Sequence, residues 1–288
     1  MAVVEELFRF LVLMLSFFGT LALAGIGLAI IFGIMGIINF AHGEFIMIGA
    51  YSTSMAYQFG LPLIAAIGVG GLATGVFGLV VERLLIRHMY DRLIDTLVAT
   101  WGLSLILTQV VRIQFGGSFA GVPVPFGTFQ YGGFSASMYK IVLGFAAIAL
   151  FALAYVILMY TDYGLQARAA MQNKDMARSL GVQTDRVYML TFFFGSVLSG
   201  VAGGLFAPLT VLTPSMGSDY IVKAFVTVIV GGANVIVGTS GAALSLGFIQ
   251  TPASQIFGTL GGRVALLVTT ILIIRILPEG ISGVVTRD

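Results

Sequence analysis

Cysteine is absent from all 288 residues, which rules out disulfides, thiolate nucleophiles and thiolate metal sites. Histidine occurs twice, at His42 and His88, and neither an H-x-x-x-H nor an H-E-x-x-H pattern is present. Catalytic zinc wants three protein ligands, usually with a histidine pair at helical spacing, so no metal site is expected. Charge is the third scarcity. Asp, Glu, Lys and Arg supply 9% of the chain, against about 25% in a soluble domain. The net charge of +2 marks no nucleic-acid partner. What fills the space is apolar: 58% hydrophobic residues and a mean hydropathy of +1.05 exclude a water-solvated surface and define a polytopic membrane protein.

Apolar runs fall at about residues 10–36, 44–59, 61–82, 95–115, 140–160, 187–209, 220–238, 241–257 and 263–277. Roughly 20 apolar residues cross a hydrocarbon core of about 30 Å. The first run is longer than one crossing needs and the eighth is short. The expectation is therefore an all-α chain of eight to nine transmembrane or re-entrant helices, forming one transmembrane domain over residues 1–288. Glu5 and Glu6 stand where a signal peptide would be basic, and no small-residue cleavage site follows, so the first run reads as a retained span.

Basic residues set the orientation. Arg83, Arg87, His88 and Arg92 form one cluster, and Arg168, Lys174, Arg178 and Arg186 form another; both belong to the cytoplasmic side, together with Arg275 and Arg287 near the C-terminus. The interval from Ile113 to Tyr139 carries no charge and is expected outside. The N-terminus lies outside if nine segments cross and inside if one is re-entrant.

Glycine is abundant, with 38 residues, many inside the spans, as in "GVGGLATGVFG" (Gly68 to Gly78) and "GSVLSGVAGG" (Gly195 to Gly204). Small residues four apart let helix backbones approach closely in lipid. Glycine also lets a span unwind around a cavity. "IFGIMGIINFAHGEF" in the first half and "VIVGGANVIVGTSGA" (Val228 to Ala242) in the second are both apolar runs cut by glycines and an asparagine. Related broken helices in two halves are a sequence pointer to a binding site. The candidate residues of the breaks are Gly36, Asn39, His42, Gly43 and Glu44 in one, and Gly231, Gly232 and Asn234 in the other. In the first, Gly36 and Gly43 would release the backbone and Asn39 and His42 would satisfy the freed polar groups, which lipid cannot. Glu44 would sit against the positive end of the next helix, either as a structural cap or as a titrating group during transport.

Other chemistries are weaker. "GTSG" (Gly238 to Gly241) fits the G-x-S-G pattern of an intramembrane serine protease with Ser240 as nucleophile, yet both histidines lie far upstream of it. A passive channel for a small polar solute is a further alternative, although no N-P-A motif is present.

The polar stretch between the fifth and sixth runs, about residues 161–186, is more informative. Leu165, Ala169, Met176, Ala177 and Leu180 suit short amphipathic helices, and Gly181 suits a helix C-cap. Ala167, Ala169, Ala170 and Ala177 suit close docking into a groove on a partner. "DMARSLG" resembles the E-A-A-x-x-x-G signature of bacterial ABC-importer permeases, with Asp175 for the acidic residue, Ala177 for the second alanine and Gly181 for the glycine; Met176 departs from the first alanine. With "GLQARAAMQNKDMARSLGV" and "GLAIIFGIMGIINFAHGEFIMIGAY" around it, the chain resembles the branched-chain amino-acid permease family, in its LivH-like branch. The likeness continues through "ATWGLSLIL", "TFFFGSVLSGVAGGL", "GGANVIVGTSGA" and "RILPEGISG" and so covers nearly the whole chain.

That resemblance implies a multi-pass inner-membrane subunit of an ABC importer, paired with a second homologous permease, two ATPase subunits and a periplasmic solute-binding protein. Arg168, Asp175, Ala177 and Gly181 would couple to the ATPases. No G-x-x-x-x-G-K-[ST] loop occurs, so this chain carries no cofactor, and ATP and Mg are expected on partner subunits. Branched-chain amino acids lead as substrates. Trp101, within "ATWGLSLIL", resembles the version in urea and short-amide permeases, so such amides are the alternative; an interfacial anchor is the other reading of this tryptophan.

Overall fold

Inside a bilayer a backbone must satisfy its own N–H and C=O groups, and helices are the form open to a chain whose apolar runs are this long. The computed structural model describes residues 2–90, 92–131, 133–232 and 234–285; Arg287, one of the expected cytoplasmic charges, lies outside them. The helices are α1 (Ala2–Met35), α2 (His42–Gln58), α3 (Leu63–Leu84), α4 (Leu93–Phe115), α5 (Met138–Tyr160), α6 (Asp162–Gln172), α7 (Lys174–Ser179), α8 (Thr184–Phe206), α9 (Met216–Gly231), α10 (Val237–Ile276) and α11 (Gly280–Val285). Strands β1 (Thr128–Tyr131) and β2 (Phe134–Ser137) pair antiparallel, Thr128 opposite Ser137, within the charge-free interval.

Six helices among the described residues are long and apolar enough to cross a membrane: α1, α3, α4, α5, α8 and α10. The 17 residues of α2 and the 16 of α9 fall short of that measure. At 1.5 Å per residue each reaches only about 25 Å, less than a full hydrocarbon core. Conversely, α10 has 40 residues and is interrupted at Gly258, whose φ of 73° is not helical. A side chain at Gly262 would strike Ser254, eight residues earlier. In a straight helix those positions stand about 12 Å apart, so the chain turns back on itself here. The expected eighth and ninth runs, 241–257 and 263–277, are the two arms of this element.

The described chain divides into two compact units, one of Met1–Gly25, Val124–Ala152 and Lys223–Asp288, the other of Ile26–Pro123 and Leu153–Val222. In the first, α1 starts against the β-hairpin. Glu5 accepts a hydrogen bond from the Gly133 N–H (2.6 Å), Phe8 packs on Phe129 and Tyr131, and the Arg9 guanidinium lies 5.7 Å from the Phe134 ring. The N-terminus is therefore on the hairpin side, while the opposite end of α5 leads into α6. In the second unit, α2, α3 and α8 meet at a seam of small residues. A Cβ at Gly49 or Gly203 would strike the facing backbone, at Gly200 or Ile46 respectively, and one at Gly78 would strike Ser196. Such contact is what the small-residue spacing in these spans calls for.

Candidate functional site

Helix α1 stops at Met35 because Gly36 takes a φ of +67°, where its N–H closes on the Phe32 carbonyl (2.9 Å). Six residues after Gly36 the chain begins again as α2, at His42. Asn39 accepts a hydrogen bond through Oδ1 from the Ala41 N–H (3.0 Å), and its own carbonyl accepts from the His42 N–H (3.3 Å). The Phe40 N–H donates to Thr100 Oγ1 on α4 (3.0 Å). Asn39 and His42 are wholly buried and Glu44 is 4% exposed.

The three polar side chains have separate partners. His42 Nδ1 lies 3.2 Å from the Ser199 hydroxyl on α8, which itself donates to the Gly195 carbonyl (2.7 Å). The Glu44 carboxyl hydrogen-bonds Ser104 and Thr108 on α4. Asn39 Nδ2 is buried without a partner. Asn39 Oδ1 and Thr100 Oγ1 thus each accept from a backbone N–H that the break frees. Gly43 is needed for packing, since a Cβ there would strike the Gly217 backbone.

The second break has the same construction. Gly232 has a φ of +78° and its N–H closes on the Val228 carbonyl (3.0 Å). Asn234 Oδ1 accepts from the Ile236 and Val237 N–H groups (3.2 and 3.0 Å), and α10 begins three residues after that asparagine, as α2 begins three after Asn39. A glycine follows in each case: a Cβ at Gly238 would meet Gly231. The Asn234 N–H donates to the Ser282 hydroxyl (3.3 Å).

Residues that the sequence reading missed are Thr100, Ser104, Thr108 and Ser199. Three of them belong to a series on α4, Thr96, Thr100, Ser104 and Thr108, at a spacing of four that puts hydroxyls on one helical face. That periodicity was available in the sequence and was masked by the apolar residues between. Trp101 is 56% exposed on α4 and makes no part of this cluster. Ser240 spends its hydroxyl on the Ile236 carbonyl (2.7 Å), and the serine beside His42 is the buried Ser199, so neither serine is set up as a nucleophile. Among the described residues no group of three His, Cys, Asp or Glu side chains converges on a metal-sized site.

The coupling segment forms α6 and α7. Thr161 caps α6, accepting from the Gly164 N–H (3.1 Å), and Asn173 caps α7, accepting from the Met176 N–H (2.9 Å). Gly181, at φ +90°, closes α7: its N–H reaches the Arg178 carbonyl (3.1 Å) and the Val182 N–H reaches that of Ala177 (3.0 Å). The small residues face inward. Gly164, Ala167, Ala170 and Ala177 are buried against this chain and Ala169 is partly exposed, so three of the four alanines expected at a partner's groove pack within the chain instead. The outward face is Leu165, Met171, Asp175, Met176 and Leu180, all exposed, and Arg168 is half-buried beside Met159. Tyr163 donates to or accepts from the Thr191 hydroxyl (2.8 Å), and burial pushes its own hydroxyl up to about 12. A groove of about 480 Å³ runs beside it, lined by Gln166, Gly181, Gln183, Arg186 and Leu190 among others.

Apolar helices of membrane length, with one glycine break before the short α2 and another after the short α9, define an integral membrane protein. The chain belongs to the family described as "branched-chain amino acid transport system / permease component", whose model matches residues 10–277. It is a multi-pass permease of the inner (plasma) membrane. It is 33% identical over 283 residues to the high-affinity branched-chain amino acid transport system permease protein LivH of Escherichia coli K12, covering 92% of this chain and 91% of that one. BraD of Pseudomonas aeruginosa is 29% identical, with 92% of each chain covered. A probable branched-chain amino acid transport permease of Methanocaldococcus jannaschii is 27% identical, with 92% and 89% covered. No solved structure gives a significant match.

Proposed function

We propose that this chain is the transmembrane permease subunit of an ATP-driven importer of branched-chain or related small amino acids, working by alternating access. The observation that carries the coupling is the amphipathic cytoplasmic segment: α6 and α7 bury their small residues inward and leave Leu165, Met176 and Leu180 exposed at its surface. An apolar face rimmed by charge, on a segment held by two side-chain caps, is a rigid docking element for a cytoplasmic partner. Asp175 lies on that face, Gly181 fixes its end, Ala177 seats it and Arg168 flanks it. The partners are two ATPase subunits, which bind ATP and Mg, a second homologous permease and a periplasmic binding protein.

Counting α2, α9 and both arms of α10 as crossings gives a nine-segment chain with its N-terminus outside and α11 in the cytoplasm. On this reading the His42–Glu44 break opens on the translocation pathway. Ser104, beside Glu44, belongs to the middle of the apolar α4, so the polar cluster lies at membrane depth, where a carboxylate is kept for function. Gly231, Gly232 and Asn234 form the corresponding hinge at the other break. The relatives named above carry branched-chain amino acids in their descriptions and none is named for urea or an amide, so the amide reading of Trp101 has no support.

Co-expression with the ATPases, second permease and binding protein, followed by reconstitution, tests the proposal. Labelled leucine should enter vesicles only with ATP. Met176→Asp with Leu180→Asp should remove the ATPases on co-purification and lower uptake at least about tenfold, while membrane insertion stays at the wild-type level. Uptake that persisted without ATP, or with the doubly substituted chain, would overturn it.

A further inference from the structure

On the inward side of α7 lies a cluster that the docking face does not use. Glu82, near the end of α3, is 1% exposed. One of its carboxylate oxygens accepts a hydrogen bond from the Tyr90 hydroxyl, and the other is buried without a partner. Burial, with the carboxylate second, holds that hydroxyl far above its ordinary range, so Tyr90 remains a donor at any physiological pH. The Tyr90 ring meets Tyr188 of α8 edge to face, with centroids 5.1 Å apart and planes at 87°. Over both rings sits the first residue of α7. Lys174 Nζ is 5.7 Å from the Tyr90 centroid and 5.4 Å from that of Tyr188, inside the range in which a ring quadrupole holds a cation.

Other contacts around α7 are less able to transmit force. The Arg178–Asp185 pair (3.1 Å) and the Arg87–Asp185 pair (3.9 Å) have side chains about half exposed, where ion pairs contribute little. Among the described residues of α7, Lys174 and Ala177 are the two that are not exposed. Ala177 supplies close contact only. Lys174 supplies attraction, and it reaches two different elements at once.

We infer that Lys174 is a positioning residue for energy coupling: it ties the cytoplasmic segment to α8 through Tyr188 and to α3 through Tyr90 and Glu82. Both helices pack on α2 through the glycine seam, so a pull on α7 is delivered to the helix that carries His42 and Glu44. A seam of backbone contacts has no slack, and close-packed elements transmit displacement rather than absorb it. This inference rests on the ATP-driven importer reading above.

The test uses the complete importer in proteoliposomes with labelled leucine and its loaded binding protein, reading import and ATP hydrolysis together. Lys174→Met keeps the length of the side chain and removes the cation; it should lower import about tenfold, the scale of an ordinary coupling between sites, while stimulated hydrolysis stays within about twofold. Lys174→Arg keeps a cation that stacks on aromatic faces and should restore import. Tyr90→Leu should reproduce the loss and add little to Lys174→Met in the double variant, which also keeps the inference testable if one variant assembles poorly. Wild-type import by Lys174→Met, loss of hydrolysis and import in equal proportion, or no rescue by arginine would each overturn the assignment. Failure of the wild-type complex to import on ATP is a distinct result and would bring down the importer reading itself.

Discussion

Glu44 is a carboxyl group with 4% exposure in a chain of 9% charged residues, and its hydrogen-bond partners are two hydroxyls of the neighbouring helix. An acidic residue kept at such a depth is costly unless its chemistry is used. Glu44→Gln preserves the size and an acceptor for Ser104 and Thr108 while removing the ability to ionise. Import by the reconstituted complex should fall at least about tenfold with insertion unchanged. Equal import by the two chains would make Glu44 a structural cap. At this scale the sequence was legible where a residue type is rare: Asn39, His42 and Glu44 stand out against their apolar neighbours. Thr100, Ser104, Thr108 and Ser199 did not, because hydroxyls in apolar helices ordinarily bond their own backbone, as Thr100 also does to Thr96. Which of them also reach another helix is decided by packing.

Elements were read closely from apolar runs, and the departures have physical causes. Helix α1 begins about two turns earlier than its apolar run, because Glu5 in its first turn suits the helix dipole and the exposed start needs no apolar surface. The two breaks share a plan that residue identity scarcely revealed: a left-handed glycine, an asparagine whose side chain rebuilds the turn, then a glycine at a close crossing. Their spacing differs, Gly36 to Asn39 in one and Gly232 to Asn234 in the other, so alignment by letter fails where geometry agrees. The glycine seam gives a sharp contrast for experiment. Gly203→Ala places a methyl against the Ile46 carbonyl and should destabilise by about 1–3 kcal/mol. Gly68→Ala, on α3, meets nothing within 4 Å and should be neutral or stabilise by up to about 1 kcal/mol through helix propensity. Unfolding in detergent compares the two; similar values would mean that the α2–α3–α8 seam is not as close as described.

For the whole molecule the open sequence question was the side of the N-terminus, since charge alone left it tied to the number of crossings. The contact of Glu5 with Gly133 and of Phe8 with Phe129 links the start of α1 to the hairpin that follows α4. The coupling segment begins where α5 ends, so one crossing separates the hairpin from it. The proposed cytoplasmic side of Arg168, Lys174, Arg178 and Arg186 predicts that the hairpin and the acidic N-terminus lie outside. The absence of cysteine makes this directly measurable, because any introduced thiol is the sole one in the chain. Glu6→Cys and Gln130→Cys should react with a membrane-impermeant maleimide in intact cells. Gln172→Cys, exposed in the coupling segment, should react only after the membrane is opened. Labelling of Glu6→Cys that required permeabilised cells, beside free labelling of Gln130→Cys, would separate the N-terminus from the hairpin and reduce the chain to an even number of crossings.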